Sequence, residues 1–144
     1  MVRKVLGEID LDPATCDYAQ NHFIQAKAYF TQVDDGLNKS WFGRVFLNPP
    51  FEDARHWIKK LEHEYQLGNV SEAIALVKSA LGYNWWEDLF RTWPVCLCRK
   101  RPAFIRQDGT TGGQIKHGVS FFYLGTDVDK FDYVFSSIGR IIRP

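Results

Sequence analysis

VFLNPPFEDARHWIKKLEHEYQLGNVSEAIALV, residues 45–77, sets out a strand, a rigid shelf, a helix and a second strand in succession. Val45, Phe46 and Leu47 are apolar and suit a buried strand. Asn48 precedes a proline, which pushes its backbone to extended geometry. Pro49 and Pro50 fix two successive φ angles and remove two N–H donors. Glu52 and Asp53 then stand in a helical first turn, where acidic groups suit the dipole. Ala54, Trp57, Ile58, Leu61 and Tyr65 recur at three- and four-residue spacing, and Gly68 can end that helix. Ala73-Ile74-Ala75-Leu76-Val77 is an unbroken apolar run, as in a central parallel strand covered on both faces. A strand, a helix and a second such strand predict an α/β domain with a mostly parallel sheet.

Working outward, residues 7–11 read as a first short strand that ends in Asp12-Pro13. Thr15 or Asp17 can cap a helix over about residues 18–28. Tyr29-Phe30-Thr31 reads as a second short strand, and Asp34-Asp35-Gly36 as a turn. Residues 83–90 predict a short helix, with Trp85 and Trp86 mostly in the core, and residues 95–98 a strand. Ala103-Phe104-Ile105 and residues 119–124 read as two strands around the loop 108–113, a long antiparallel hairpin added to the sheet edge. Residues 131–137 suit a helix, and Arg140-Ile141-Ile142 a terminal strand or tail.

The 144 residues fit one domain, 1–144, whose 45% hydrophobic and 15% aromatic content supports a packed core. No apolar run approaches membrane-spanning length, and Met-Val-Arg-Lys does not open a signal peptide, so no membrane association is expected. Cys16, Cys96 and Cys98 are odd in number and form no zinc-spaced quartet with histidine. A reducing, cytoplasmic setting without a structural metal follows, with Cys96 and Cys98 as strand packing. Net charge is +1 but unevenly placed. Residues 8–35 carry six acids against Lys27, whereas Arg99, Lys100, Arg101, Arg106 and Lys116 stand against Asp108 in residues 99–118. This suits a cationic small molecule at one site and a polyanion at another.

The shelf at residues 48–51 suits methylation of an exocyclic amine on a planar ring. Such a nitrogen is a poor nucleophile because its lone pair is delocalised. The Asn48 side-chain oxygen and the Pro49 carbonyl can accept its two hydrogens and favour a localised lone pair. Pro50 stiffens the shelf, and Phe51 can stack on the base. Asn-Pro-Pro-Phe is similar to the (Asn/Asp/Ser)-Pro-Pro-aromatic signature of S-adenosylmethionine-dependent amino-methyltransferases.

More of the chain resembles the phage-type DNA N-6-adenine methyltransferase family. The resemblance rests on Asp10-Leu11-Asp12-Pro13-Ala14, Tyr29-Phe30-Thr31 and Asp34-Asp35-Gly36-Leu37, then on Trp41-x-Gly43-x-Val45-Phe46-x-Asn48-Pro49-Pro50-Phe51. Arg101-x-Ala103-Phe104 and Ser120-Phe121-Phe122-Tyr123-x-Gly125 complete it. It implies a Rossmann-like methyltransferase fold, S-adenosylmethionine as cofactor, and methylation of adenine N6 in bacteriophage or host DNA, as in restriction-modification. It places Asp12, Pro13 and Ala14 in the strand-end loop, with Asp12 facing the cofactor's cationic amino-acid end, and Asp35 near its adenine. Residues 1–51 would then form the cofactor half. Family members usually carry a further segment with Trp-x-Thr-Pro ahead of the Asp-x-Asp-Pro-Ala stretch, and this sequence holds none, so it reads either as an N-terminally short member or as a chain whose start lies further upstream.

DNA contact is expected from the late hairpin, residues 99–125, through Arg99, Lys100, Arg101, Arg106 and Lys116, with its tip entering a groove. The same spacing also fits a charged hairpin facing solvent. Two alternatives share the chain's features: an RNA or protein amino-methyltransferase with the same shelf, and a cofactor-impaired protein that only binds DNA.

Overall fold

A computed structural model describes residues 1–144, apart from the side chain of Gln114. Helix α1 (Val2–Leu6) precedes strand β1 (Leu11–Asp12). A short helix α2 (Asp17–Ala19) runs into a wider π-type turn (Gln20–Ile24) and then β2 (Ala28–Tyr29). Two 3-10 turns, Gln32–Asp34 and Gly36–Asn38, lead to β3 (Gly43–Leu47). Helix α3 (Ala54–Gln66), β4 (Val70–Lys78), α4 (Asn84–Thr92) and β5 (Val95–Cys98) follow. The chain ends with β6 (Ala103–Ile105), β7 (Thr111–Gln114), β8 (Val119–Leu124), α5 (Val128–Phe135) and β9 (Gly139–Ile142).

Seven strands form one sheet in the order β2-β1-β3-β4-β8-β5-β9. β2, β1, β3 and β4 pair in parallel, and β8 lies antiparallel between β4 and β5. β9 is antiparallel to β5 at the far edge. The period-two alternation of side chains divides the core between the two faces. Val45, Leu47, Ala73, Ala75, Val77, Phe122 and Leu124 pack with Trp57, Ile58 and Leu61 of α3 and Trp86 and Leu89 of α4. Phe46, Ile74, Leu76, Cys96 and Tyr123 pack on the other face with α1 and with Phe131 and Phe135 of α5.

Helix α3 buries Ala54, Trp57, Ile58 and Leu61, the stripe its spacing predicts. It ends in a Schellman motif: Gly68 has φ +78° and donates to the Tyr65 carbonyl at 3.0 Å, and the Asn69 N–H reaches the Glu64 carbonyl at 3.0 Å. The Glu64 carboxylate also accepts from the Asn69 side chain at 2.8 Å.

Three expectations need correction. The helix expected over about residues 18–28 ends at Ile24, since Ala28 and Tyr29 pair with β1 as strand β2. Residues 7–11 do not form a strand throughout; helix α1 stands before them and β1 is only Leu11–Asp12. Val5, Leu6 and Ile9 are needed to cover the second sheet face, which a helix and a bend achieve. The late hairpin also differs. β6 pairs with β7 in a separate two-stranded ribbon, whereas β8 runs through the interior of the main sheet. Val119, Phe122, Tyr123 and Leu124 are all buried, so both faces of β8 require cover that an edge strand would not receive.

The site-bearing end of the sheet is fixed by a charge cluster at the opposite strand ends. Asp10 accepts from the Arg44 backbone N–H and from Arg44 Nε, both at 2.9 Å, joining the start of β1 to β3. The Arg44 guanidinium holds the Asp10 carboxyl well below the usual range. Gly43, at φ +67°, leaves room for this pair: a Cβ there would lie 2.7 Å from Asp10 Oδ2.

Candidate active site

From β1 the chain crosses to β2 on one side, and from β3 to β4 on the other. The C-terminal ends of β1 and β3 therefore flank a topological switch point, where open α/β sheets leave a crevice. A cavity of about 830 Å³ opens there. Asn48, Pro49, Pro50 and Phe51 form one wall, and Pro13, Ala14 and Thr15 another. Asp35 and Gly36 close a third side.

The strand-end loop is held from behind. The Asp12 side chain is completely buried. Its carboxylate accepts from Gln20 Nε2 at 2.8 Å and from the Ala14 N–H at 3.3 Å. Burial pushes its pKa up to about 7, against the opposing hydrogen bonds from Ala14, Thr15 and Gln20. Gln20 is itself buried; it also donates to Thr15 Oγ at 3.0 Å and accepts from the Ala26 N–H at 2.9 Å. The resemblance implies that Asp12 faces the cofactor's amino-acid end, but its carboxylate turns inward, and Pro13, Ala14 and Thr15 line the space. A carboxylate beside a loop of backbone N–H groups finds closer donors within the protein than in the cavity.

The wall that carries Asp35 is packed directly onto this loop. A Cβ on Gly36 would lie 2.1 Å from the Pro13 carbonyl oxygen and 3.3 Å from the Trp57 ring. Trp41 Nε1 donates to the Gly36 carbonyl at 2.8 Å from within the core. Thr31 and Asp34 form a capping box over the preceding turn, with the Thr31 N–H and hydroxyl both donating to the Asp34 carboxylate at 2.8 Å. Asp35 has φ +54° and accepts from the Asn38 amide. Its carboxylate is exposed at the rim, with Glu52 and Asp53 on the facing wall. The rim is thus acidic.

Asn48 is half-buried, Pro49 is buried and Pro50 is exposed. The Phe51 ring meets Phe104 edge-on, with centroids 5.6 Å apart and planes at 88°. Phe104 belongs to the β6–β7 ribbon, which arches over the cavity and lines it with Phe104, Ile105 and Gln107. The ribbon's turn also reaches the other bank, where Gly109 sits against the Tyr18 ring; a Cβ there would lie 2.6 Å from it. Sequence reasoning missed this roof, together with Trp57 and Thr31. Only the apolar Phe104 between exposed neighbours signals a ribbon with something to cover.

The expected DNA-contacting residues are all exposed, but they are dispersed. Arg99, Lys100 and Arg101 follow β5 at the C-terminal edge of the sheet. Arg99 Nη2 donates to the Ser136 carbonyl at 3.3 Å. Arg106 lies in the ribbon and donates to Thr110 Oγ at 3.2 Å. Lys116 precedes β8. The ribbon tip rests on Tyr18 rather than projecting outward, because Gly109 leaves space for that ring.

This geometry pairs the rigid Asn48–Phe51 shelf with an acidic, loop-lined cavity. The family model for DNA N-6-adenine-methyltransferase (Dam) matches residues 2–124, most of the chain. The chain belongs to this family. No curated protein matches it. The Dam match spans the switch-point cavity, the shelf and the ribbon, and ends with β8. The last helix and strand, α5 and β9, lie beyond it. They still serve the Dam-family core, since Phe131 and Phe135 cover one face of its sheet. No helix is long and apolar enough to cross a membrane, and no group of three or more His, Cys, Asp or Glu is placed to hold a metal, among the described residues.

Proposed function

We propose that the protein transfers a methyl group from S-adenosylmethionine to N6 of adenine in DNA, in the manner of the phage-type members of its family. The observation that carries this is the meeting of the Asn48–Phe51 shelf and the Pro13–Thr15 loop in one cavity. A space of about 830 Å³ can hold a cofactor-sized molecule, within the roughly 300–1,000 Å³ of ligand pockets. The strand order, with β8 reversed between two strands of the opposite sense, supports a Rossmann-like methyltransferase fold in a single domain.

Pro13, Ala14 and Thr15 would hold the cofactor's amino-acid end through loop backbone, and Asp35 would lie near its adenine. Asp12 acts through the loop, fixing its shape with Gln20. When bound, S-adenosylmethionine supplies an electrophilic methyl on a sulfonium. The acidic rim of Asp35, Glu52 and Asp53 favours that cation. Adenine is unstacked from DNA to reach the shelf. The Asn48 side-chain oxygen and the Pro49 carbonyl accept the two N6 hydrogens and orient the lone pair. Phe51 and Phe104 offer ring surface to the base and exclude water beneath the ribbon. Positioning and charge placement supply the rate. The protein works in the cytoplasm of the cell that holds the DNA.

Radiolabelled methyl transfer to unmethylated DNA, RNA and protein extract, run in parallel, tests this. Label in DNA alone is expected. Label in RNA or protein alone would assign the shelf to another amine, and no label anywhere with DNA still bound would mark a binding protein.

A further inference from the structure

A second recess, of about 440 Å³, lies between α3 and the start of α4. Arg55, Lys59, Tyr83, Asn84, Trp85 and Asp88 line it around Gly82. Three features set it beside the shelf. Arg55 and Lys59 stand one turn apart on α3, on its exposed side opposite the buried Trp57, Ile58 and Leu61. That helix begins immediately after the shelf, so Arg55 is four residues beyond Phe51. β4 is the parallel neighbour of β3, with Leu47 beside Ala75, so the loop carrying Gly82 and Tyr83 leaves the same sheet edge as Asn48.

The chemistry of the recess is that of a nucleic-acid contact. Arg55 and Lys59 make no ion pair with any described residue, and Asp88 is the acid facing them. Tyr83 is 62% exposed and the preceding Leu81 74%, an outlay of apolar surface that no neighbouring element covers. Cations interleaved with exposed aromatic rings track a phosphate backbone and stack on bases. The surface continues along the same edge. Ser79 accepts at its hydroxyl from, or donates to, Ser120 at 2.7 Å, and Lys78 is in register with Val119, which brings the Lys116 loop alongside. The face beside Asp35, Glu52 and Asp53 is acidic by contrast, and would repel phosphate.

We infer that this recess binds the sugar-phosphate backbone of DNA next to the extruded adenine, with Arg55 and Lys59 on phosphates and the Tyr83 ring against a neighbouring base. The inference rests on the methyltransferase reading above and names the DNA surface of that same site. Shelf, recess and Lys116 then form one track along the C-terminal edge of the sheet, while the cofactor enters from the β1–β2 side.

The test uses the full chain and a fluorescein-labelled duplex containing unmethylated adenine, with binding followed by anisotropy between about 50 and 200 mM salt. Arg55→Gln with Lys59→Gln should make the slope of log K against log salt shallower by about 1.8, from two phosphates at roughly 0.9 each. Affinity near 0.1 M salt should fall roughly tenfold or more. Tyr83→Leu should weaken binding about fivefold with the slope unchanged, since a stacked ring releases no counterion. An unchanged slope in the folded double variant, with wild type binding and methylating the duplex, would overturn the recess assignment and leave the methyltransferase proposal standing. Should the double variant not fold, Tyr83→Leu decides: wild-type affinity in that protein would overturn the assignment. A wild type that binds duplex DNA but methylates only RNA or protein would overturn the methyltransferase proposal, and this inference with it.

Discussion

Replacing Asp12 by asparagine should change how stability depends on pH. The carboxyl is wholly buried, and burial pushes its pKa up to about 7, from 3.8 for an unperturbed aspartate. In that window the folded state binds a proton that the unfolded state has released. Stability is therefore fully present below pH 3.8 and falls as pH rises through about 7. Two pH units of this fall, from 5 to the folded pKa, amount to roughly 3 kcal/mol at about 1.36 kcal/mol per unit. The lowered carboxylates Asp10, Asp34 and Glu64 contribute a slope of the opposite sign, but mostly below this range, near their unfolded values of 3.8 for aspartate and 4.5 for glutamate. Asparagine removes the titration. It also sets an amide N–H₂ beside Gln20 Nε2, whose own oxygen is already taken by the Ala26 N–H, so two donors face each other. That mismatch costs about 1–3 kcal/mol at every pH. The variant should thus be less stable than wild type at pH 5 and should close or reverse the gap by pH 8. Urea unfolding at the two pH values measures both. If the wild type and Asp12→Asn lose stability in parallel between them, Asp12 is not the group that titrates.

Three further outcomes follow from the site. Asn48→Ala should lower methyl transfer by about 10²-fold or more while S-adenosylmethionine still binds, as calorimetry would show, because its amide acts on the acceptor amine. Gly36→Ala drives a methyl into the Pro13 carbonyl, so it should destabilise by about 1–3 kcal/mol in thermal melts and weaken cofactor binding. Replacing Arg99, Lys100 and Arg101 together by alanine should flatten the salt dependence of DNA binding by about 1–2 in slope; a full three would require Arg99 to leave the Ser136 carbonyl.

The strand–shelf–helix–strand unit at residues 45–77 was legible because its signals are local. Periodicity, two prolines and an unbroken apolar run each fix structure within a few residues, and β3, α3 and β4 all lie where these put them. The partner of β8 was not legible. Its apolar residues show that both faces are covered, but not that it inserts between β4 and β5 instead of pairing with Ala103–Ile105. Such pairing is decided by the sheet as a whole. The same holds at the cavity. Pro13, Ala14, Asp35 and the shelf do converge there, whereas the inward turn of Asp12 depends on Gln20, which no motif singles out. The roof depends on Phe104 reaching Phe51 across more than fifty residues of chain. The late cations are exposed as their composition suggests, but spacing could not tell that the ribbon tip rests on Tyr18.

The most direct measurement is nucleoside analysis by mass spectrometry of unmethylated DNA incubated with the protein and S-adenosylmethionine. N6-methyladenine should accumulate with the wild type and stay near background with Asn48→Ala. Methylation at cytosine, or no methylated nucleoside from a folded wild type that binds the cofactor, would contradict the assignment of this shelf to adenine N6.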